Sequence, residues 1–153
     1  METENPRTIT EALAADHRRL ENLRERAEDA LRTGGGGEAA RLFAEFDRGL
    51  RHHIRVEEEL LFPALERDGG VRRDFGPIGV MLAEHRAIEG LLERLAREFS
   101  GQAADDTPGA PMGQLSAMLK AHDAKEEMVL YPMADRTIAG AERESIVARI
   151  RTE

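Results

Sequence analysis

Two stretches of this 153-residue chain repeat one arrangement of metal-binding side chains. His53-Ile54-Arg55-Val56-Glu57-Glu58 runs on to Leu61-Phe62-Pro63, and His122-Asp123-Ala124-Lys125-Glu126-Glu127 runs on to Leu130-Tyr131-Pro132. In each, a Glu follows a His by four residues. On an α-helix four residues turn about 400°, so the two side chains leave the same face about 40° apart. An imidazole one turn from a carboxylate is a ready pair of nitrogen and oxygen donors. Two copies with the same tail are not a chance spacing.

The elements that carry these strings are read from their breakers. Gly34 to Gly37, Asp68-Gly69-Gly70, and Gly101 to Pro111 divide the chain into four long segments, and no run alternates with the period of a strand. Thr8 and Glu11 form a capping-box pattern for a first helix running to about Arg32. The second helix is expected from about Glu38 to Arg67 and the third from near Pro77. The fourth is expected after Thr107 as N-cap with Pro108 at the first helical position. A short fifth helix is expected over Ala141 to Arg151. Each long segment has an apolar stripe that turns polar near its middle, at His17, at His53 and Glu57, at His85, and at His122 and Glu126. The fold class expected is all-α: one domain over residues 1–153, an up-down-up-down antiparallel four-helix bundle with the short fifth helix at its end.

Residues equidistant from a turn stand at equal height on two antiparallel helices. The midpoint of His17 and His53 is residue 35, inside the glycine run, and that of His53 and His85 is Gly69. His85 precedes Ser100 by 15 residues, and His122 follows Thr107 by 15. At about 1.5 Å rise per residue, such a bundle brings four imidazoles to one level. The two halves also resemble each other, with offsets of 68 between His17 and His85 and 69 between His53 and His122. A repeated hairpin suits two metal ions, one per half.

Burying Glu57 and Glu126 as bare anions is costly. A pair of cations resolves that cost, because each carboxylate can bridge two ions and each imidazole supplies one lone pair. Four His and two Glu leave open positions for oxo, hydroxo or small exogenous ligands. With no cysteine in the chain, thiolate and iron–sulfur chemistry are excluded, and nitrogen–oxygen donors with open positions suit iron or manganese, then zinc, with copper less favoured. The net charge of −8 argues against nucleic acid or an anionic membrane as partner. The acidic start, Met1-Glu2-Thr3-Glu4-Asn5-Pro6, is unlike a signal peptide, so a cytoplasmic location is expected.

The order His17, His53-x3-Glu57, His85, His122-x3-Glu126, with a Leu-aromatic-Pro tail after each His-x3-Glu, resembles the hemerythrin-like family, or HHE cation-binding domain. The resemblance covers nearly the whole chain. It implies a four-helix bundle around a non-haem di-iron centre, oxo- or hydroxo-bridged, that meets O₂, NO or a peroxide. Oxygen-carrying hemerythrins have a second His four residues from the third-helix His and a final Asp; here Met81 and Glu89 flank His85, and the last carboxylate is Glu126. The four-His, two-Glu set is similar to bacterial di-iron proteins that repair iron centres under nitrosative or oxidative stress. Those carry a cysteine-bearing domain, and this sequence has no Cys. Binding or sensing of a small ligand is the function expected. Iron storage or delivery, iron-centre repair, peroxide or NO turnover with Glu84 as proton donor, and a purely structural metal clip are the alternatives. No protein partner is named by the sequence.

The remaining polar residues have blander expectations. His52, about 100° round from His53, is expected at the surface. Glu21 and Glu89, each four residues after a His, are expected on solvated faces, as are Asp16 and Glu84, although either of the last two would suit an imidazole's outer nitrogen. Glu58 and Glu127 are expected to pair with surface Arg or Lys. Phe62 and Tyr131, nine residues beyond their His, are placed on the far side of the helix as packing, as are Met81, Met118 and Met133 as core filler.

Overall fold

A computed structural model of the chain describes residues 8–74, 76–100 and 109–152. Among these residues there is no strand. The first helix, α1, spans Ile9–Arg32; α2 spans Gly36–Val56 and passes through a π-helical turn, Glu57–Leu61, into α3, Phe62–Gly69. Then come α4, Pro77–Phe99, and α5, Gly109–Lys125, which continues through a second π-helical turn, Glu126–Leu130, into α6, Tyr131–Thr137. The last is α7, Gly140–Arg151. The Thr107 cap expected for the fourth helix lies outside the described residues. No helix of the described residues is long and apolar enough to cross a membrane.

The helix ends follow from the sequence. Thr8 Oγ1 accepts from the Glu11 N–H at 3.0 Å, as the capping pattern requires. A second cap comes from far along the chain. The Asp135 carboxylate of α6 accepts from the Ile9 N–H at 2.7 Å, the Thr10 N–H at 3.2 Å and the Thr10 hydroxyl at 2.5 Å. It places a negative charge on the positive end of the α1 dipole. Replacing Asp135 with Ala is expected to cost about 1–2 kcal/mol, the range for losing a good cap, and a thermal or denaturant melt reads it. At the other end of the second rod the chain turns at Gly70, whose φ of 65° is left-handed and open to glycine without strain.

Two apolar cores sit on either side of a polar layer. One gathers Ile9 and Leu13 of α1 with Phe62 and Leu65 of α3, Ile78 and Met81 of α4, Leu130, Tyr131 and Ile138, and Ile146 and Ile150 of α7. The other gathers Leu20 and Leu23 of α1, Phe43, Phe46 and Leu50 of α2, Ile88, Leu92 and Leu95 of α4, and Leu115 and Leu119 of α5. Each such side chain contributes about 1.5–3 kcal/mol by leaving water. Every long rod crosses from one core to the other, and its His or His–Glu pair lies at the crossing. α1 packs on α2 and α5, and α4 on α2 and α5. Met118 and Met133 pack at the edges of these cores.

The fifth helix has a consequence the stripe patterns did not show. His52 does point away from the bundle interior, yet it is buried, at 6% exposure, because α7 covers that face. Its Nε2–H donates to the Arg149 carbonyl at 2.9 Å, in the last turn of α7. The surface placement expected for His52 is therefore corrected.

Candidate metal centre

All four histidines and both glutamates reach the layer between the cores, and none is more than 5% exposed. The His17 and His53 rings lie 4.7 Å apart, and those of His85 and His122 lie 5.0 Å apart. The donors form two groups, His17, His53, Glu57 and Glu126, and Glu57, His85, His122 and Glu126, each with its donor atoms within 4.8 Å of one another. Glu57 and Glu126 belong to both. Donors about 2.1 Å from one ion are at most about twice that apart, so only a small inward adjustment separates each group from a coordination shell.

The donor atoms aim inward. His17 Nε2 lies 3.1 Å from Glu126 Oε1, His85 Nε2 3.0 Å from Glu57 Oε1, His53 Nε2 3.4 Å from Glu57 Oε2, and His122 Nε2 3.3 Å from Glu126 Oε1. Glu57 Oε1, His85 Nε2 and Glu126 Oε2 are buried without a hydrogen-bond partner. The His85–Glu57 contact has the length of a hydrogen bond but not its angles. Orphaned buried donors of this kind are rare in a finished polar network, and here they share one layer. The residues fit a pair of cations.

The outer nitrogens are held by a second ring of carboxylates, and its pattern repeats between the halves. Asp16, just before His17, accepts from His53 Nδ1 at 2.8 Å; Glu84, just before His85, accepts from His122 Nδ1 at 2.8 Å. Glu58, just after Glu57, accepts from His85 Nδ1 at 2.6 Å; Glu127, just after Glu126, accepts from His17 Nδ1 at 2.8 Å. Arg19, Arg86 and Lys125 in turn hold Asp16, Glu58 and Glu84. A proton fixed on each Nδ1 leaves each Nε2 free to donate its lone pair to an ion. The solvated placements expected for Asp16 and Glu84 are thereby corrected; Glu58 makes the expected pairing with a surface Arg, Arg86, and holds His85 as well, whereas Glu127 is held by His17. Glu84 is held between His122 and Lys125. Asp16→Ala is expected to weaken metal binding by roughly 10–100-fold, measured by competition with a chelator of known affinity. Glu21→Ala serves as the control, because Glu21 stands outside the cluster, half exposed and 3.9 Å from Arg24. Glu89, paired with Arg86, is outside it too.

The charges compensate in the metal-free form. Burial works against the ionised forms of His85 and His122, but hydrogen bonds and charge from Glu57, Glu58, Glu84 and Glu126 outweigh it and lift both to about 9. His53 is raised well above its ordinary value, since Glu57 and Asp16 overcome its burial, and its positive charge holds Glu57 well below the usual carboxylate range despite burial.

Three residues stand at the centre where the sequence alone does not place them. Tyr131 is wholly buried, and its hydroxyl oxygen lies 2.5 Å from Glu57 Oε2 and 2.9 Å from Glu126 Oε1, with one hydrogen to donate to either. Burial first, then the charges of Glu126 and Glu57, raise its pKa well above that of a free phenol. The far-side placement assumed an unbroken α-helix. In the π-helical turn the Tyr131 N–H bonds to the carbonyl of Glu126, five residues back, so Tyr131 comes round onto the Glu126 face. Phe62 stands in the same relation to Glu57, and its ring stacks on His85 with centroids 5.8 Å apart. The Leu-aromatic-Pro tails explain the turns. Pro63 and Pro132 lack an N–H and crowd the carbonyl four residues before, so the backbone takes up an extra residue there. The third is Asp123, with Oδ1 3.3 Å from His17 Nε2. Burial, countered in part by His17, brings its pKa to about 6. Its signal was its place three residues before Glu126, on an adjoining helix face. Asp123, Glu127 and His17 also line a cleft of about 450 Å³ between α1 and α5, beside Arg18 and Lys120.

A model of the hemerythrin HHE cation-binding domain matches residues 8–134. The chain belongs to the hemerythrin HHE cation-binding family. The matched span holds all six inward donors and the four outer carboxylates. No curated protein and no solved structure matches the chain. Membership of a cation-binding family agrees with a buried His–Glu cluster that fits metal.

Proposed function

We propose that this protein is a non-haem di-iron protein that binds or senses O₂, NO or a peroxide. The single observation that carries this reading is the pair of donor groups sharing Glu57 and Glu126. His17 and His53 would hold one ion, His85 and His122 the other, and the two glutamates both. Four donors per ion leave unfilled positions, and the nitrogen–oxygen set favours iron over softer metals. Bound iron supplies reversible coordination and redox chemistry toward small oxygen and nitrogen species. The chain's own part is to keep each Nε2 unprotonated through Asp16, Glu58, Glu84 and Glu127. It also excludes bulk water between the two apolar cores. The cleft beside His17 and Asp123 gives a small ligand a route of entry.

The same reading takes the four long rods as an up-down-up-down bundle forming one domain. In its favour, α1 and α4 leave the core built around Phe62 and Tyr131, whereas α2 and α5 return to it. Iron-loaded protein is expected to show a ligand-to-metal charge-transfer absorption that shifts on addition of azide or NO. Stoichiometric iron whose spectrum ignores every small ligand would remove the binding and sensing function.

A further inference from the structure

The halves of the centre correspond at an offset of 69 through His53 and His122, Glu57 and Glu126, and Pro63 and Pro132. The correspondence fails chemically at two positions that face the donors: Ile54 is matched by Asp123, which reaches only His17, and Phe62 is matched by Tyr131. The Phe62 ring lies against His85 and offers no donor. The Tyr131 oxygen lies 2.5 Å from Glu57 Oε2, 2.9 Å from Glu126 Oε1, 3.1 Å from His17 Nε2 and 3.2 Å from His53 Nε2. Those are all four members of the first donor group and, for His85 and His122, there is no counterpart among the described residues. A phenol has one hydrogen to give and accepts through its lone pairs, so it cannot satisfy two carboxylate oxygens at once. Its oxygen stands where the four donors converge. The ring is wholly buried in the core, which holds the oxygen beside that space.

We propose that Tyr131 is a fifth protein donor, as phenolate, to the ion held by His17, His53, Glu57 and Glu126, and that the two ions are therefore chemically unequal. On loading, the Tyr131 O–H bond breaks and its proton leaves to solvent. The electron pair left on oxygen forms the bond to the ion, with no change in oxidation state. A hard anionic oxygen favours the trivalent ion, so this position prefers ferric iron more strongly than the one capped by Phe62.

The inference rests on the two-ion reading of the centre, and the experiment separates them. The protein is loaded with ferric iron; iron per chain is measured, then visible absorption and resonance Raman scattering. Tyr131 is the only tyrosine in the chain, so any tyrosinate signal belongs to it. Two irons with a tyrosinate-to-iron band and enhanced phenolate ring vibrations are expected. Tyr131→Phe should keep both irons and lose the band. Adding Phe62→Tyr to that variant should restore a band from the opposite ion. Two irons without any tyrosinate band in the parent protein overturn the inference and leave the two-ion reading standing. A chain that takes up no iron overturns both.

Discussion

Glu126→Gln is expected to strip both ions from the protein, whereas His17→Ala is expected to strip chiefly one. Glu126 is a member of both donor groups and His17 of one only. Gln keeps the shape of Glu but loses the charge that opposes two cations, and its amide oxygen is a poor bridge. Loss of a partner that only orients a ligand costs roughly 10–100-fold in metal affinity, and loss of a shared inner donor costs more than that at each position. Metal content of the purified variants after equilibration with limiting free iron gives the comparison. A Glu126→Gln protein that still binds one ion as tightly as the parent would show that the carboxylate serves a single ion, and the bridged arrangement would be wrong.

Removing the metal is expected to lower the melting temperature by about 8–16 °C. An ion present at about a thousand times its dissociation constant adds about 4 kcal/mol to the native state. For a chain of this size each kcal/mol shifts the midpoint by about 2–4 °C. The gap has a direction with pH. In the stripped protein, His85 and His122 have pKa values raised to about 9 from 6.5. Their stabilising contribution is complete below pH 6.5 and is lost as pH rises through about 9. In the loaded protein these nitrogens carry no such proton to lose, so the difference between loaded and stripped forms should widen across that window. Paired melts at pH 6 and pH 9, with and without chelator, measure it. Identical melting of the two forms at both values would mean that the cluster is a finished network of ion pairs and needs no ion.

The sequence carried much of the centre because helical period and helical rise are regular. Gly34 to Gly37 and Gly69 to Gly70 marked the turns, and equal counting from them put His17, His53 and His85 at one height. His53 and Glu57 share a face through simple 100° steps. What was hidden depends on departures from that regularity or on neighbours far along the chain. Tyr131 and Phe62 were assigned to the wrong face because an α-helical period was carried through two π-helical turns, although Pro63 and Pro132 were the visible cause of them. His52 was assigned to solvent because nothing in its own helix announces that α7 lies over it. Asp16, Glu58, Glu84 and Glu127 look like any solvated Asp or Glu. Only the crossing of α1 with α2 and α5, and of α4 with the second rod and α5, brings each against the imidazole of another helix.

The bland half of the sequence also has a physical lesson. Glu21 and Glu89 follow their histidines at the same spacing as Glu57 and Glu126, yet lie by Arg24 and Arg86 at the surface. Spacing puts a carboxylate near the right face; the flanking apolar residues decide whether that face is buried. After Glu57 and Glu126 the chain supplies Leu61 and Leu130, both buried, and then the ring that closes the layer.

A crystal structure of the iron-loaded protein, with anomalous data collected at the iron edge, bears most directly on these conclusions. Two anomalous peaks about 3.5–4 Å apart are expected, one beside His17 and His53, the other beside His85 and His122, with Glu57 and Glu126 between them. One peak alone, or iron bound anywhere but between these six side chains, would contradict the two-ion centre.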